Sequence, residues 1–160
     1  MANTRSINDI NIANIANPTA TTSTPAVMVN GQTIFTVGNS DILILSLISE
    51  CYSANNATAS TLQYSVTSLT GTASISGVSV SLASAAAGVS AILQPGALTN
   101  APVVSSAAGV GSVPWGGIRI PAGANINLVI GVGSTTGTWK HYLSYIPIEN
   151  FTSSSVTTTL

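Results

Sequence analysis

The sequence predicts an all-β protein, a single-domain antiparallel β-sandwich of jelly-roll type with an extended N-terminal arm. Short stretches of alternating apolar and polar residues recur along most of the chain, and they are rich in Val, Ile and Thr. Gly, Pro and Asn separate these stretches and leave no room for a long helix. A chain of 160 residues supports one domain with a core. About eight short strands are typical of a sandwich or barrel.

The first 25 residues differ from the rest of the chain. Asn recurs there at every third position, a period that fits neither a strand nor a helix. Pro18 and Pro25 bound a Thr-rich extended linker. We expect an arm and linker at 1–25, a sandwich at 26–150 and a flexible tail at 151–160. The arm is either disordered or orders against a neighbouring subunit through its isoleucines, which are Ile7, Ile10, Ile12 and Ile15.

The first strands of the sandwich are predicted at residues 26–52. Ala26–Val29, the turn Asn30–Gly31 and Thr33–Val37 have the pattern of a β-hairpin. Residues 41–52 are apolar on both faces, which predicts a strand covered from both sides, either central in its sheet or at a subunit interface. Strict alternation places Ile42, Ile44 and Ile48 on one face and Leu43, Leu45, Leu47 and Cys51 on the other.

The middle of the chain is less regular. Leu62, Tyr64 and Val66 alternate with polar residues, as in a half-exposed strand, and Thr70–Gly71 forms a turn. The alternation of Val78, Val80 and Leu82 with Ser79 and Ser81 predicts another strand. Residues 83–116 contain many Gly and Pro, and we expect a long excursion there with a short strand in 89–94 or 101–106. An excursion of that length usually serves a purpose such as contacting a partner.

The last third is again clearly β. Residues 117–120 form a short strand, and the strand that starts near Ile126 is followed by a hairpin loop at Gly133–Gly137. Residues 138–148 form the returning strand. One face of this strand holds Trp139, His141, Leu143 and Tyr145, and the other holds Lys140, Tyr142, Ser144 and Ile146.

Formal charge is nearly absent from this chain. Charged residues make up 4% of it, whereas about one quarter is usual in a soluble domain. Free monomers use such charges to stay dispersed, so the composition indicates a structural part of an assembly. A net charge of -1 provides no basic surface for nucleic acid and none for anionic lipid. The longest aliphatic run, Ile42–Ile48, is too short for a membrane helix, and we expect neither export nor membrane insertion.

The residues that carry chemistry are too few for an active site. His141 is the only histidine, and no Gly-x-Ser-x-Gly elbow accompanies it, so we expect a histidine packed or hydrogen-bonded in a sheet. Asp41 and Glu149 lie at predicted strand ends, where acids are ordinarily solvated. Cys51 and His141 together cannot supply a four-ligand zinc site, and Cys51 has the setting of a small buried hydrophobe. We expect no enzymatic activity, no metal and no cofactor.

Two residues are candidate contacts with another subunit, Trp115 and Arg119. Trp115 lies in a Gly- and Pro-rich loop, where it would contact another protomer or stack on a sugar ring. We expect Trp139 to fill the core. Arg119 is expected to pair with Glu149 or Glu50 across strands or subunits. Because a surface ion pair adds little stability, such a pair would serve mainly to make docking specific.

Two C-terminal motifs resemble small virion proteins of tailed bacteriophages. Ile118–Leu128 reads IRIPAGANINL, and Thr138–Glu149 reads TWKHYLSYIPIE. In that family an (I/V)PAG strand is followed by a strand with a YIPL-type ending. Ile34–Val37 followed by Asp41–Ile44 is similar to the family's first core strands, so the resemblance covers roughly residues 26–150. The long excursion at 83–116 and the Ile/Asn arm depart from common members.

The resemblance implies a decoration or cement protein, a β-sandwich that is often trimeric and clamps neighbouring capsomers. We therefore expect a homotrimer that binds the major capsid protein on the outer surface of the phage head, after assembly in the host cytoplasm. The alternative is a receptor- or glycan-binding module of a tail fibre or adhesin, or another neck or tail structural protein.

Overall fold

The computed structural model describes residues 19–94, 98–105, 117–131, 134–148 and 156–160. These residues form only β-strands, arranged in two antiparallel sheets that pack together, which confirms the predicted all-β sandwich. Within the described ranges, no helix is long and apolar enough to span a membrane. In chain order the strands are β1 (Thr19–Thr22), β2 (Ala26–Val29), β3 (Thr33–Val37), β4 (Ile42–Cys51), β5 (Leu62–Ser68), β6 (Gly71–Ser74), β7 (Ser90–Ile92), β8 (Val103–Ser105), β9 (Ile118–Ile120), β10 (Asn125–Ile130), β11 (Ser134–Pro147) and β12 (Val156–Thr158).

Two sheets make up the sandwich. Sheet A has the order β1-β11-β4-β7-β8, with β2 also paired to β11 and β9 also paired to β4. Sheet B has the order β12-β3-β10-β5-β6. The core lies between them and is filled by apolar side chains of both inner faces. Its largest fully buried members are Trp139, Tyr64, Tyr145, Phe35, Met28, Ile34, Ile42, Leu47, Leu62, Leu82 and Ile120.

Both predicted hairpins are wrong; the first predicted turn is present at Asn30–Gly31, whereas residues 134–137 of the second predicted loop belong to β11. Gly31 adopts a φ of 79°, and the Gln32 amide donates to the Val29 carbonyl at 3.1 Å, as a tight turn requires. However, β2 pairs with β11 in sheet A, whereas β3 pairs with β10 and β12 in sheet B. Likewise β10 lies in sheet B and β11 in sheet A. Each turn therefore carries the chain from one sheet to the other, a connection typical of jelly rolls.

Strand β4 is central in sheet A, as predicted, but its two faces are not those that strict alternation gives. The register with β11 shifts between the pairs Ser144–Ser46 and Tyr145–Ile44, which leaves Leu45 as an extra residue. Such a bulge moves the following residues to the opposite face. Ile42 and Ile44 thus share the inner face with Leu47, Ser49 and Cys51, and Ile48 lies on the outer face.

The predicted strand at Val78–Leu82 is wrong. Val78 and Val80 are exposed, while Ser79 is buried. This segment runs beside β5 but uses serine hydroxyls in place of a regular ladder. The Oγ of Ser76 accepts from the Tyr64 amide at 2.9 Å, and the Oγ of Ser79 accepts from the Leu62 amide at 2.9 Å. Because hydroxyls satisfy these amides, the serines turn inward and the valines outward.

The ends of the chain differ from the expected arm and tail. Thr19–Thr22, inside the expected linker, is strand β1 and pairs with Tyr142–Tyr145 of β11. Val156–Thr158, inside the expected flexible tail, is strand β12 and pairs with β3. The excursion at 83–116 holds a strand in each of the two windows, β7 and β8, which pair with each other.

Candidate interaction surface

The polar side chains of the core form a serine–histidine–tyrosine network. Ser49 on β4 lies directly opposite His141 on β11. The Oγ of Ser49 is 2.7 Å from His141 Nδ1 and 2.7 Å from the hydroxyl of Tyr64 on β5. The Tyr64 hydroxyl also lies 3.3 Å from the Ala91 carbonyl oxygen. This network links the two sheets through the middle of the core.

The Ser49–His141 pair is structural and not a nucleophile–base pair. Both residues are fully buried, so no substrate reaches the hydroxyl. Burial lowers the pKa of His141 to about 4, which keeps the imidazole neutral at neutral pH. Burial also raises the pKa of the Tyr64 hydroxyl. The prediction of a histidine packed and hydrogen-bonded in a sheet is confirmed.

Cys51 is likewise a core residue. Its thiol is buried and donates to the carbonyls of Ser53, at 3.1 Å, and Ala85, at 3.5 Å. Burial is the main cause that raises the pKa of this thiol, which disfavours the reactive thiolate. The predicted small buried hydrophobe is confirmed. Across the described ranges, no group of three or more His, Cys, Asp or Glu side chains is placed to hold a metal ion.

Arg119 forms an ion pair with Asp41, a partner not expected from the sequence, and the expected partner Glu149 lies outside the described residues. The guanidinium of Arg119, on β9, forms an ion pair with the carboxylate of Asp41 at the start of β4. Asp41 is buried, contrary to its expected solvation, and its Oδ1 accepts from the Ala122 amide at 2.9 Å. The pair ties β4 to the turn between β9 and β10. Its side chains are 66% and 8% exposed, so the ion pair on the Arg119 side faces solvent.

A cleft of about 300 Å³ opens beside Arg119, between β9 and the β5–β6 hairpin. Its wall combines apolar side chains such as Ile118 and Val66 with hydroxyls such as Thr70 and Thr72. Arg119 is the only formally charged residue among the described lining, and Asp41 already engages it. The cleft therefore presents no free pair of acid and base to a substrate.

The outer face of sheet A, the face turned away from the core, is unusually apolar for a surface. Tyr142, Ile48, Ile92 and Val103 lie opposite one another in a single row across β11, β4, β7 and β8. Ile92 is 2% exposed yet stands outside the main core cluster, and Val103 is 51% exposed. The neighbouring row, Ser144 and Ser46, is polar, and the row beyond it holds Leu43 and the buried Ile146. Ile92 and Ile146 are therefore already shielded from solvent within the single chain.

An aromatic and charged cluster lies at one end of this face. Glu50 and Lys140 are direct cross-strand partners, and Tyr142 lies close to Glu50. The Lys140 ammonium lies 5.1 Å from the centre of the Tyr142 ring, within range of a cation–π contact. Desolvation is the main cause that raises the pKa of Tyr142, followed by its contact with Glu50. Tyr52 is 66% exposed beside the cluster.

The structure separates the candidate residues chosen from the sequence. Trp139 is fully buried in the core, as predicted. Arg119 lies on β9, whose pairing with Leu43 places it at the margin of the apolar face. Ile7, Ile10, Ile12, Ile15 and Trp115 lie outside the described residues.

The sequence analysis missed two sets of residues. Alternation places Ser49 on the same face as Leu47 and Cys51, but β4 is apolar on both faces, so the sequence did not show that this face is the inner one. The row through Ile48 and Tyr142 was missed because strand pairing, and not strand pattern, brings those residues together. Comparison with protein-family models, with curated proteins and with solved structures found no match for this chain.

Proposed function

We propose that this protein is a structural component of a bacteriophage virion, a decoration or cement protein without enzymatic activity. In this role it forms a homotrimer on the outer surface of the head and binds the major capsid protein between capsomers. Contacts with several capsomers at once raise the overall affinity through multivalency. Such bridges stabilise the head against internal genome pressure.

The observation that carries this proposal is a folded surface with almost no formal charge. In the described part of the chain the charged side chains are Asp41, Glu50, Arg119 and Lys140. Asp41 and Arg119 form an ion pair, and Glu50 and Lys140 are cross-strand partners. A dispersed monomer needs net repulsion between copies, and these paired charges provide little of it. A neutral surface is suited to a protein that works while covered by its neighbours.

The motifs that resemble phage virion proteins add support, because they contribute β9, β10 and β11 of the sandwich. Strand β11 is the longest strand described and pairs with β1, β2 and β4 in sheet A. The resemblance therefore involves strands on which the fold depends.

Binding to phage heads tests the proposal. Heads of the encoding phage, produced without this protein, are mixed with the full chain or with a chain lacking residues 1–18. The truncation stops before Thr19 because β1 belongs to sheet A. We expect the full chain to co-sediment with the heads and raise their resistance to heat, and the truncated chain to stay folded but bind weakly. A full chain that leaves the heads unbound would refute cement function, and equal binding by both chains would refute the arm's role.

The tail-fibre or adhesin alternative is favoured by one observation, the exposed Tyr52 beside Tyr142, Glu50 and Lys140. Aromatic rings next to polar groups suit stacking on sugars. A glycan array probed with the native chain and with Tyr52→Ala separates the two functions. Cement function predicts no glycan binding and no effect of the substitution on adsorption to cells.

A further inference from the structure

The cleft beside Arg119 lies between two strand edges that are free in the described part of the chain. Strand β6 ends sheet B, and all four of its residues are exposed. Strand β9 pairs with β4 alone. A free edge presents unpaired backbone N–H and C=O groups, and proteins usually protect it with charged residues or proline. Strand β6 contains neither, so its edge is open to a further strand.

The cleft has apolar walls and a polar rim. Four buried aliphatic side chains form the walls: Val66, Ile75, Ile118 and Ile120. Hydroxyls of the β5–β6 hairpin, such as those of Thr70 and Thr72, lie along the rim. The cleft volume of about 300 Å³ is at the lower end of the range for ligand clefts, about 300–1,000 Å³. The cleft therefore suits a few aliphatic side chains on an extended backbone.

The N-terminal arm joins sheet A near this cleft. Thr19 at the start of β1 is level with Ile118 of β9, because both belong to the row that runs through Tyr145 and Ile44. Three strand spacings separate Thr19 from Ile118, a distance of about 14 Å. Traced backward, β1 runs toward the end of sheet A that holds Ile120.

We propose that residues 8–12 of the arm dock in this cleft of their own chain, as an extended strand along β6 whose Ile10 and Ile12 contact the apolar walls. This inference goes beyond the proposed function and does not rest on it, since it concerns the free chain.

Reach and composition identify the arm as the occupant. The six residues 13–18 span up to about 20 Å when extended, which exceeds the distance to β9 and brings Ile12 to the cleft. On a strand Ile10 and Ile12 point to one face, and Asp9 and Asn11 point to the other. The aliphatic pair therefore meets the walls, while the polar pair stays in solvent and no charge is buried.

The tether between arm and sandwich makes a modest contact sufficient. Docking within one chain is an intramolecular step, and a short linker gives an effective concentration in the millimolar range. Asp9 is the only formal charge among residues 8–12, and its sign is opposite to that of Arg119, which is 66% exposed beside the cleft. Screening by solvent makes this attraction weak, so it orients the arm more than it holds it.

Hydrogen exchange tests the inference on the intact chain. The full chain is compared with a chain lacking residues 1–18, which retains β1. Outward-pointing amides of β6 exchange rapidly unless another strand bonds to them. We expect exchange in residues 71–74 to be about tenfold slower in the full chain, because those amides open only when the arm leaves. Equal exchange in the two chains would overturn the inference.

A matched pair of arm substitutions shows whether the inward face of the arm is responsible. Ile10→Asp puts a charge on the face toward the walls, and Asn11→Asp puts the same charge on the opposite face. We expect Ile10→Asp to exchange as fast as the truncated chain and Asn11→Asp to match the native chain. Circular dichroism checks that both sandwiches stay folded. Two variants with the same exchange rate would contradict docking through Ile10.

A disulfide distinguishes docking on the same chain from docking on a neighbour. Ala73 of β6 lines the cleft as the cross-strand partner of Val66, whereas the adjacent Thr72 points to the outer face of sheet B. Under mild oxidation we expect Ile10→Cys with Ala73→Cys to cross-link within one chain of 16.0 kDa, and Ile10→Cys with Thr72→Cys to stay reduced. Cys51 is buried and does not compete.

A non-reducing gel and mass spectrometry separate the outcomes of this cross-linking. A disulfide between two chains, equal cross-linking at both positions, or none at all would overturn the inference. Head binding is measured separately, so a docked arm on a chain that does not bind heads would refute cement function and leave this inference standing.

Discussion

The two outer faces of the sandwich differ sharply, although the two inner faces share one core. Sheet B presents hydroxyls and amides that bond to one another across the strands. Thr36 donates to Asn125 at 2.8 Å, and Asn127 accepts from Thr33 at 2.7 Å and donates to Thr67 at 3.0 Å. Sheet A instead presents a row of apolar and aromatic side chains with a charged pair at one end.

The two faces differ in how their side chains interact with water. The hydrogen bonds along sheet B are formed within the face, and the atoms that remain can bond to water, so this face needs no partner. The row through Ile48 and Tyr142 gains free energy only when water is removed from it. Composition alone would treat the two sheets alike, because the whole chain is poor in charge and rich in Ser and Thr.

The largest expected effect comes from the shared core, where the two sheets should behave alike. Leu128 on β10 and Leu143 on β11 are both buried inner-face residues. Each Leu→Ala substitution should lower the free energy of unfolding by about 2–5 kcal/mol, through lost burial and a new cavity. Urea denaturation measures the change. A loss below 1 kcal/mol in one sheet only would show that the core is not shared as described.

A second expected effect is a loss of stability in acid, which depends on the inner face of sheet A. Burial lowers the pKa of His141 to about 4 in the folded state, against 6.5 for the ordinary side chain. As the pH falls, the unfolded state therefore takes up the proton first, and stability decreases from about pH 6.5 down to about pH 4. The imidazole Nδ1 is hydrogen-bonded to the Ser49 hydroxyl, which in turn is hydrogen-bonded to the Tyr64 hydroxyl.

The shift corresponds to about 3 kcal/mol in the free energy of unfolding, fully lost below pH 4. Denaturation at a series of pH values measures it, with His141→Gln as the comparison. The substituted chain should show a flatter dependence between pH 6.5 and pH 4. Identical slopes for the two chains would contradict the assignment to His141.

The hydrogen-bonded face of sheet B gives a smaller effect. Thr67→Val removes the hydroxyl that accepts from Asn127 and bonds to Thr72 at 2.9 Å, while it preserves the shape of the side chain. We expect a loss of about 1 kcal/mol in the free energy of unfolding and no change in mass. Ser144→Ala on sheet A is the control and should stay within about 0.5 kcal/mol. A change in mass caused by Thr67→Val would remove the distinction between the faces.

The smallest effect is expected at the margin of the sheet A face. Arg119→Gln breaks the ion pair with Asp41, whose Oδ1 keeps its hydrogen bond to the Ala122 amide. Because the Arg119 side chain is 66% exposed, we expect a change of about 0–1 kcal/mol, reduced further by added salt. Thermal unfolding at low and high salt measures it, and a loss above 2 kcal/mol would indicate a larger role for the pair.

The sequence predicted the fold class because alternation and turn residues act locally. The inner face of β11, with Trp139 and His141, followed directly from a period of two. The pairing partner of each strand could not be predicted from the sequence. Asn30–Gly31 specifies a turn, but the strand after that turn can either pair with the strand before it or enter the other sheet. The bulge at Leu45 changed the faces of β4 because one extra residue reverses the alternation.

The candidate surface could not be predicted either, because it depends on which strands pair. Ile48, Ile92 and Val103 are far apart in the chain, and only the pairing of β4, β7 and β8 brings them together. The serines at 76 and 79 are a further example, since their inward position depends on the amides of β5. Arg119 was chosen for its chemistry alone, and its ion pair with Asp41 was not predicted because the pairing of β9 with β4 was not.

The mass of the native chain in dilute neutral solution, measured by analytical ultracentrifugation over a range of concentrations, tests the central claim most directly. If the protein is the homotrimer of the proposed function, the chain sediments as a closed trimer of about three times 16.0 kDa, with no larger open polymers. A chain that sediments as one copy at every concentration would contradict the account.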